Sequence, residues 1–420
     1  MKQTQRLLVG WRSLLALTVL AALVYHGVTG ASFLNQDDVL FFGPENPQMR
    51  AAMGGDLGAL LDPRRTIANA YLPVSHLSLL ADVWLIGDGG AAVWPHLHSL
   101  FLHLAAAFIL ARLLGQLGLT RASSTAAAAL FLVHPALVES VAWIASRKDL
   151  LSGLFSFLCL SAVARHALVP RHRTVAMAMI WAVLALYSKG TAVVLALLAP
   201  VVVSLVAGSL RGRWRLSASI ASLAFLAGLH HSWVAAGEGT LQTLDFATRT
   251  LQIPGAFAHY LGTIVWPTGL NIHYPEVKTL SIFVANWLLG LASFGLPLLG
   301  LMLWHRGHRQ AGAGIIMACL ALLPFNTAYP ASAIAAADRY LYLVVPWFAF
   351  AFVSMFGSRS RMGLSLVVIA VLPMGWLAHS RVAEFRDSRT LWASSLATEP
   401  ENAVACLNLA EALQHTAPDR

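Results

Sequence analysis

Two adjacent carboxylates, Asp37 and Asp38, stand between apolar flanks in the stretch SFLNQDDVLFF. Side by side they repel each other, so one of them should hold its proton more tightly than an ordinary aspartate unless a cation lies nearby. That suits a general base, which takes the proton of a hydroxyl while its neighbour orients the substrate. The competing reading makes the pair polar markers at the end of a membrane span. A second set lies in FLVHPALVESVAWIASRKDLL, where His134-Pro135 should break a helix, because proline disfavours helical backbone in the residue before it. Glu139, Arg147, Lys148 and Asp149 follow. Adjacent cations at the head of a helix suit a phosphate, arginine by paired contacts and lysine as a point charge. The alternative is that these cations snorkel and pair with Glu139 and Asp149. Lys189 in YSKGTAV sits in a very short turn between apolar runs, where a lysine also snorkels readily. Asp338 and Arg339 precede Tyr340 and Tyr342 in ADRYLYLVV, either as interfacial aromatics or as a grip on phosphate.

Histidines are frequent near the same ends of the apolar runs: His76, His96, His98, His103, His134, His230, His231, His259 and His273. His96 and His103 share a helix face, yet no HExxH or two-histidine-carboxylate spacing occurs, so polar helix packing is expected and no metal ligands are assigned. Cys159, Cys319 and Cys406 are too scattered to suggest a disulfide or thiolate chemistry. No P-loop, dinucleotide fingerprint or nucleophile elbow appears, which leaves nucleotide-driven chemistry unsupported.

The elements that must carry these residues are membrane helices. The chain of 420 residues is 58% hydrophobic and 11% charged, with a mean hydropathy of +0.68. Apolar stretches of about 17–25 residues recur, the length a bilayer core demands. Eleven spans are expected, near 11–31, 92–113, 121–140, 148–165, 174–188, 190–208, 216–234, 280–304, 310–328, 340–357 and 362–379. The first run also has the basic flank of a signal peptide, with small residues near Thr29–Ser32; an uncleaved anchor keeps every later loop consistent. The net charge of +9 sorts as a membrane protein's does, not as a nucleic-acid binder's. Lys2, Arg6 and Arg12, Arg112 and Arg121, Arg165, Arg171 and Arg173, Arg211, Arg213 and Arg215, Arg306 and Arg309, and Arg359 and Arg361 fall at expected cytoplasmic ends. No Asp or Glu lies in those segments, so all 19 acids are expected on the other side. Residues 71–88, with His76 and Asp82, and 249–266 should lie along the outer surface as interfacial or re-entrant helices, within outer loops near 32–91 and 235–279. From about 380 the pattern changes to two helices flanking Pro400, which need a neighbour or a docking surface to bury their apolar faces.

Taken in order, the Asp pair, YLPVSHLSLLAD, HLHSLFLH, HPALVESVAWIASRKDLLS, YSKGTAV, ADRYLYL and the tail LW…SL…P.N..A..NLA.AL resemble the transmembrane and tetratricopeptide-repeat O-mannosyltransferases. These are GT-C glycosyltransferases, relatives of the protein O-mannosyltransferases. The resemblance covers nearly the whole chain. It implies an all-α GT-C membrane domain over 1–379 and a tetratricopeptide-like tail over 380–420. It further implies transfer of a sugar, mannose in the family, from a polyprenyl-phosphate donor to a hydroxyl of an exported protein at the outer face of the cytoplasmic membrane. The N-terminus would be cytoplasmic and the C-terminus outside. Asp37 or Asp38 would be the base, with Asp37 matching the family's first acid. Arg147, Lys148, Lys189 and Arg339 would hold the lipid phosphate, with His76, His134, Glu139, Asp149 and Tyr340 in support. A divalent cation, Mg or Mn, is the one cofactor the implied phosphate chemistry leaves room for. A lipid or polysaccharide acceptor is the alternative within this class, and a scaffold or transporter the alternative outside it. The chain departs from the family at Leu72, where arginine is usual, at Gly190, where glutamate often follows the lysine, and in a repeat array cut to about one pair.

Overall fold

A computed structural model describes residues 10–43, 46–64, 66–68, 70–87, 90–237, 246–274, 280–325, 336–357 and 361–416. Of the basic residues singled out above, Lys2, Arg6 and Arg359 lie outside these, as do 238–245 and 275–279 of the second expected outer loop. Among the described residues the fold is all helical; the sole extended pairing is an isolated bridge between Ile67 and Ala70.

Helix α1 (Trp11–Tyr25) runs on through a tighter turn to Gly30. The segment expected as the first outer loop forms three short helices, α2 (Val39–Phe42), α3 (Pro47–Met53) and α4 (Gly58–Leu61), and then the apolar α5 (Pro73–Ile86). Helix α6 (Val93–Gln116) returns through the bundle, followed by α7 (Arg121–Leu132), α8 (Val138–Ala142), α9 (Arg147–Leu168), α10 (His172–Ser188), α11 (Leu195–Ala207) and α12 (Trp214–Gly237). Further along come α13 (Phe246–Val265), α14 (Leu280–Ser293), α15 (Gly295–His305), α16 (Arg309–Leu322), α17 (Val345–Phe352) and α18 (Arg361–Glu384), and then the tail pair α19 (Ser388–Thr398) and α20 (Ala403–Thr416). Asp387 and Asn402 cap the tail helices, accepting hydrogen bonds from the N–H groups of Thr390 (2.8 Å) and Ala405 (3.2 Å).

Seven described helices are long and apolar enough to cross a bilayer, and the pair α7–α8, bent by 59°, makes an eighth if it is one broken span. The bend falls at His134-Pro135, as the proline requires. At three further positions where spans are expected the chain forms shorter helices, α10, α16 and α17. The last begins late because 338–343 form a tight 3-10 turn. The expected boundary at 379 moves to Glu384, since α18 continues unbroken and carries Arg381 in its last turn. Helix α9 is the axis of the bundle, buried over most of its length against α6, α10 and α11. Trp287–His305, by contrast, is only 11% buried although it is strongly apolar. A surface like that is unsupportable in water and ordinary against lipid. The chain is a multi-pass, all-helical membrane protein.

The two ends of the bundle differ in charge. At one end Gly10 lies against Arg121, Gln310 donates to the Leu117 carbonyl (3.2 Å), Arg309 donates to the Ser204 carbonyl (3.4 Å), and Arg112 and Arg165 are electrostatic neighbours. Gly118 turns the chain at this end with a φ of +100°, a backbone conformation that favours glycine. The acids described below gather at the other end.

Candidate functional site

Asp37 and Asp38 are neighbours in sequence with different surroundings. Asp38 is fully buried and accepts two backbone hydrogen bonds, from Leu34 N–H (3.0 Å) and from Ala145 N–H (2.8 Å). It therefore bolts the loop that follows α1 onto the turn that leads into α9. Burial pushes its pKa up to about 7, against the lowering effect of those two N–H groups. Asp37 is only partly buried, and its charge lies within electrostatic reach of Lys148. Of the two, Asp37 is the carboxylate a substrate can approach.

Arg147 and Lys148 also part company. Consecutive helical residues point about 100° apart, so the pair cannot face one ligand equally. Arg147 is fully buried and spends its five N–H donors on protein partners. Nη1 pairs with Asp82 and reaches the Ser78 carbonyl, Nη2 donates to the Pro95 carbonyl (2.6 Å) and Ser99 Oγ (3.2 Å), and Nε also approaches Ser99 (3.4 Å). The expected phosphate contact thus finds no free donor on Arg147, which instead ties α5 to α6 and α9. Asp82, whose presence already set residues 71–88 apart from the membrane spans, is its counter-ion and also meets His98 at 2.7 Å.

Lys148 points the other way. It lies over the Trp143 ring at 5.7 Å and lines a small cavity with Phe41, Ser75, His76 and Ala145. Lys189 pairs with Asp149 (2.5 Å), and Ser146 donates to the other oxygen of that carboxylate (3.1 Å). Arg339 pairs with Glu139, which also accepts its backbone N–H (3.2 Å). Tyr340 joins the two cations, with its ring 4.9 Å from the Lys189 ammonium and 5.3 Å from the Arg339 guanidinium. Burial lowers the Lys189 pKa, opposed by Asp149. Burial works against the Arg339 charge, but Glu139, Tyr340 and Asp149 together more than offset this and leave the pKa above its ordinary value. Lys148, Lys189 and Arg339 lie close enough to act on one another electrostatically, and Lys148 also feels Asp37 and Asp149. Three cations and three carboxylates, Asp37, Asp149 and Glu139, therefore form one electrostatic cluster.

The supporting residues fall around it. His76 is buried beside Phe41, and burial, reinforced by Lys148, holds its pKa down to about 3, so it is neutral. His134 caps the bend: its Nδ1 accepts from Ala136 N–H (3.3 Å) and its Nε2 donates to the Ile264 carbonyl (3.1 Å), which ties the bend to α13. Among the deeper histidines, His103 bonds Tyr342 (2.8 Å) and the Leu132 carbonyl (3.1 Å), a packing role. Gly153 admits the Tyr342 ring, which a Cβ would meet at 2.4 Å. Among the described residues, no group of three or more His, Cys, Asp or Glu side chains gathers as a cation site would require.

The residue types alone did not reveal a third set. Asp338 accepts from Tyr274 OH (2.7 Å) and faces Arg381 at 3.7 Å, while Arg381 pairs with Glu384 and donates to the Leu270 carbonyl (3.0 Å). Burial raises the Asp338 pKa to about 7, against Arg381. The sequence signal for this set is the pair of charges, Arg381 and Glu384, that closes the apolar α18. No protein-family model matches the chain, and none of the curated proteins matches it.

Proposed function

We propose that this protein is a GT-C-type glycosyltransferase of eleven spans, seated in the cytoplasmic membrane with its N-terminus inside and its C-terminus outside. It transfers a sugar, mannose by the resemblance of its motifs, from a polyprenyl-phosphate donor to a hydroxyl of an exported protein. The observation that carries this reading is one approachable carboxylate, Asp37, beside a cluster of cations, at the end of the bundle opposite the basic loops.

In the proposed step the acceptor oxygen attacks the anomeric carbon while Asp37 takes its proton. The bond from that carbon to the lipid phosphate breaks, and its electron pair stays on the phosphate oxygen, so the configuration inverts. The departing lipid phosphate gains a second negative charge as the bond breaks, and Lys148, Arg339 and Lys189 stabilise that charge. Arg147 holds the wall of the site and Asp38 holds the loop. A lipid-linked donor made elsewhere is consistent with the lack of a nucleotide-sugar motif. The test is transfer from a radiolabelled polyprenyl-phosphate mannose to a Ser/Thr-rich peptide by the full-length protein in lipid nanodiscs. Label in the peptide supports the reading; no label there, with label appearing in a lipid or polysaccharide fraction instead, moves the acceptor to that class.

A further inference from the structure

The tail pair α19–α20 reads in the sequence as a single tetratricopeptide-like helix pair in need of a neighbour or a docking surface. Its neighbour is the loop that carries the Asp pair. Trp392 Nε1 donates to Asn35 Oδ1 at 2.7 Å, from a fully buried indole. Asn35 Nδ2 donates to the Asn408 carbonyl (3.0 Å) and to Glu411 (3.1 Å), and Asn35 N–H donates to Ser388 Oγ (2.9 Å). Ser32 N–H donates to the Arg386 carbonyl at 2.9 Å. Both amide hydrogens of the Asn35 side chain, its carbonyl and its backbone N–H are thus spent on the tail.

Asp37 lies between two anchors. Asn35, two residues before it, is held by the tail, and Asp38, one residue after it, is held by Leu34 and Ala145. The tail also grips the second outer loop. Ser395 Oγ donates to Asn271 Oδ1 (2.6 Å), Asn271 Nδ2 returns a bond to the Ser395 carbonyl (3.1 Å), and Asn402 Nδ2 donates to the His273 carbonyl (2.9 Å). A peptide segment fastened on both sides of one residue loses most of its freedom to swing that residue's side chain, and a base must be held within a few tenths of an ångström of its proton to work well.

We propose that the C-terminal helix pair is a clamp that sets the position of the Asp37 carboxylate, with Asn35 and Trp392 as its positioning residues. The role of Asp37 in this statement rests on the glycosyltransferase reading; the mechanical role of the clamp does not. The test takes the full-length protein in lipid nanodiscs as wild type, Trp392→Phe, Asn35→Ala and, as a control on the exposed side of α20, Leu407→Ser. Trp392→Phe removes one N–H and keeps the packing ring, so a general loss of fold is not expected. Two readouts are taken: backbone hydrogen exchange over 33–42 against 147–168, and sugar transfer from a polyprenyl-phosphate mannose.

Exchange over 33–42 should rise at least tenfold in both clamp variants, with 147–168 and the control unchanged. Transfer should lose at least tenfold in kcat with the donor KM within twofold, because the cations are untouched, and its dependence on pH should shift as the carboxylate's surroundings change. Unchanged exchange over 33–42 in both variants overturns the proposal, as does raised exchange with undiminished kcat. If exchange responds as described but the wild-type protein transfers no sugar, the clamp stands and the glycosyltransferase reading fails.

Discussion

Arg147 was expected among the phosphate ligands, and its geometry makes it a strut; replacing Asp82 separates the two roles. Asp82→Leu suits an apolar helix and improves its helix propensity, so any loss of stability comes from the cation left behind. Arg147 is fully buried, and its pairing with Asp82 is what compensates its charge there. Removing one partner of such a pair costs about 3–5 kcal/mol. The carbonyls of Ser78 and Pro95 and the Ser99 hydroxyl remain as acceptors, which places the expected loss near the lower figure. Adding Arg147→Met removes the stranded charge, and the double variant should recover most of the loss, for a coupling of roughly 2 kcal/mol or more. Equilibrium unfolding in mixed micelles reads all three proteins. A loss below about 1 kcal/mol in Asp82→Leu, or a double variant as unstable as the sum of its singles, would show that the pair is not a strut. A stable double variant whose donor KM rises tenfold would return Arg147 to the phosphate.

Three further outcomes follow from the same contacts. Asp38 holds its proton to about pH 7 in the fold against an ordinary value of 3.8, so between these values the folded state carries a proton that the unfolded state has lost. Stability from this group therefore falls as pH rises, and wild type measured against Asp38→Asn should lose roughly 2–3 kcal/mol between pH 5 and 7 in denaturant titrations; a rise over that window would contradict the burial of Asp38. Gly153→Ala pushes a methyl into the Tyr342 ring and should cost about 1–3 kcal/mol in the same unfolding assay, with a stability equal to wild type as the contrary result. Glu139→Gln removes the charge that holds Arg339 and should raise the donor KM several-fold in the transfer assay while leaving the Asp38 titration in place; an unaltered KM would take Arg339 out of the phosphate site.

Much of this arrangement was legible in the sequence for physical reasons. Length and hydropathy mark a helix for the bilayer, and proline marks a break, so the bundle and the bend at His134-Pro135 could be read directly. Charge sorting placed the basic loops at one end. What a single chain does not display is which distant group completes each charge. Asp82 was conspicuous in an apolar helix, but its partner lies 65 positions away. The difference between Asp37 and Asp38 is made by the Ala145 N–H, 107 positions away, and the docking of the tail by Asn35 and Trp392, 357 apart. Arg147 and Lys148 look equivalent as letters, and only the 100° step of the helix sends one to Asp82 and the other toward Asp37. The span boundaries suffered from the same limit: at 338–343 Asp338 and Arg339 make contacts that hydropathy does not report, and the 3-10 turn there shortens the helix that follows.

The central claim is that Asp37 is the base. The direct measurement is the single-turnover rate of mannose transfer from a polyprenyl-phosphate donor by Asp37→Asn, beside wild type, with folding checked by unfolding stability. Asp37 is partly exposed, so the substitution should change stability by no more than about 0.5 kcal/mol. The account predicts a rate lower by roughly 10²–10⁴-fold at unchanged donor affinity. A stable Asp37→Asn protein that transfers sugar at the wild-type rate would contradict it.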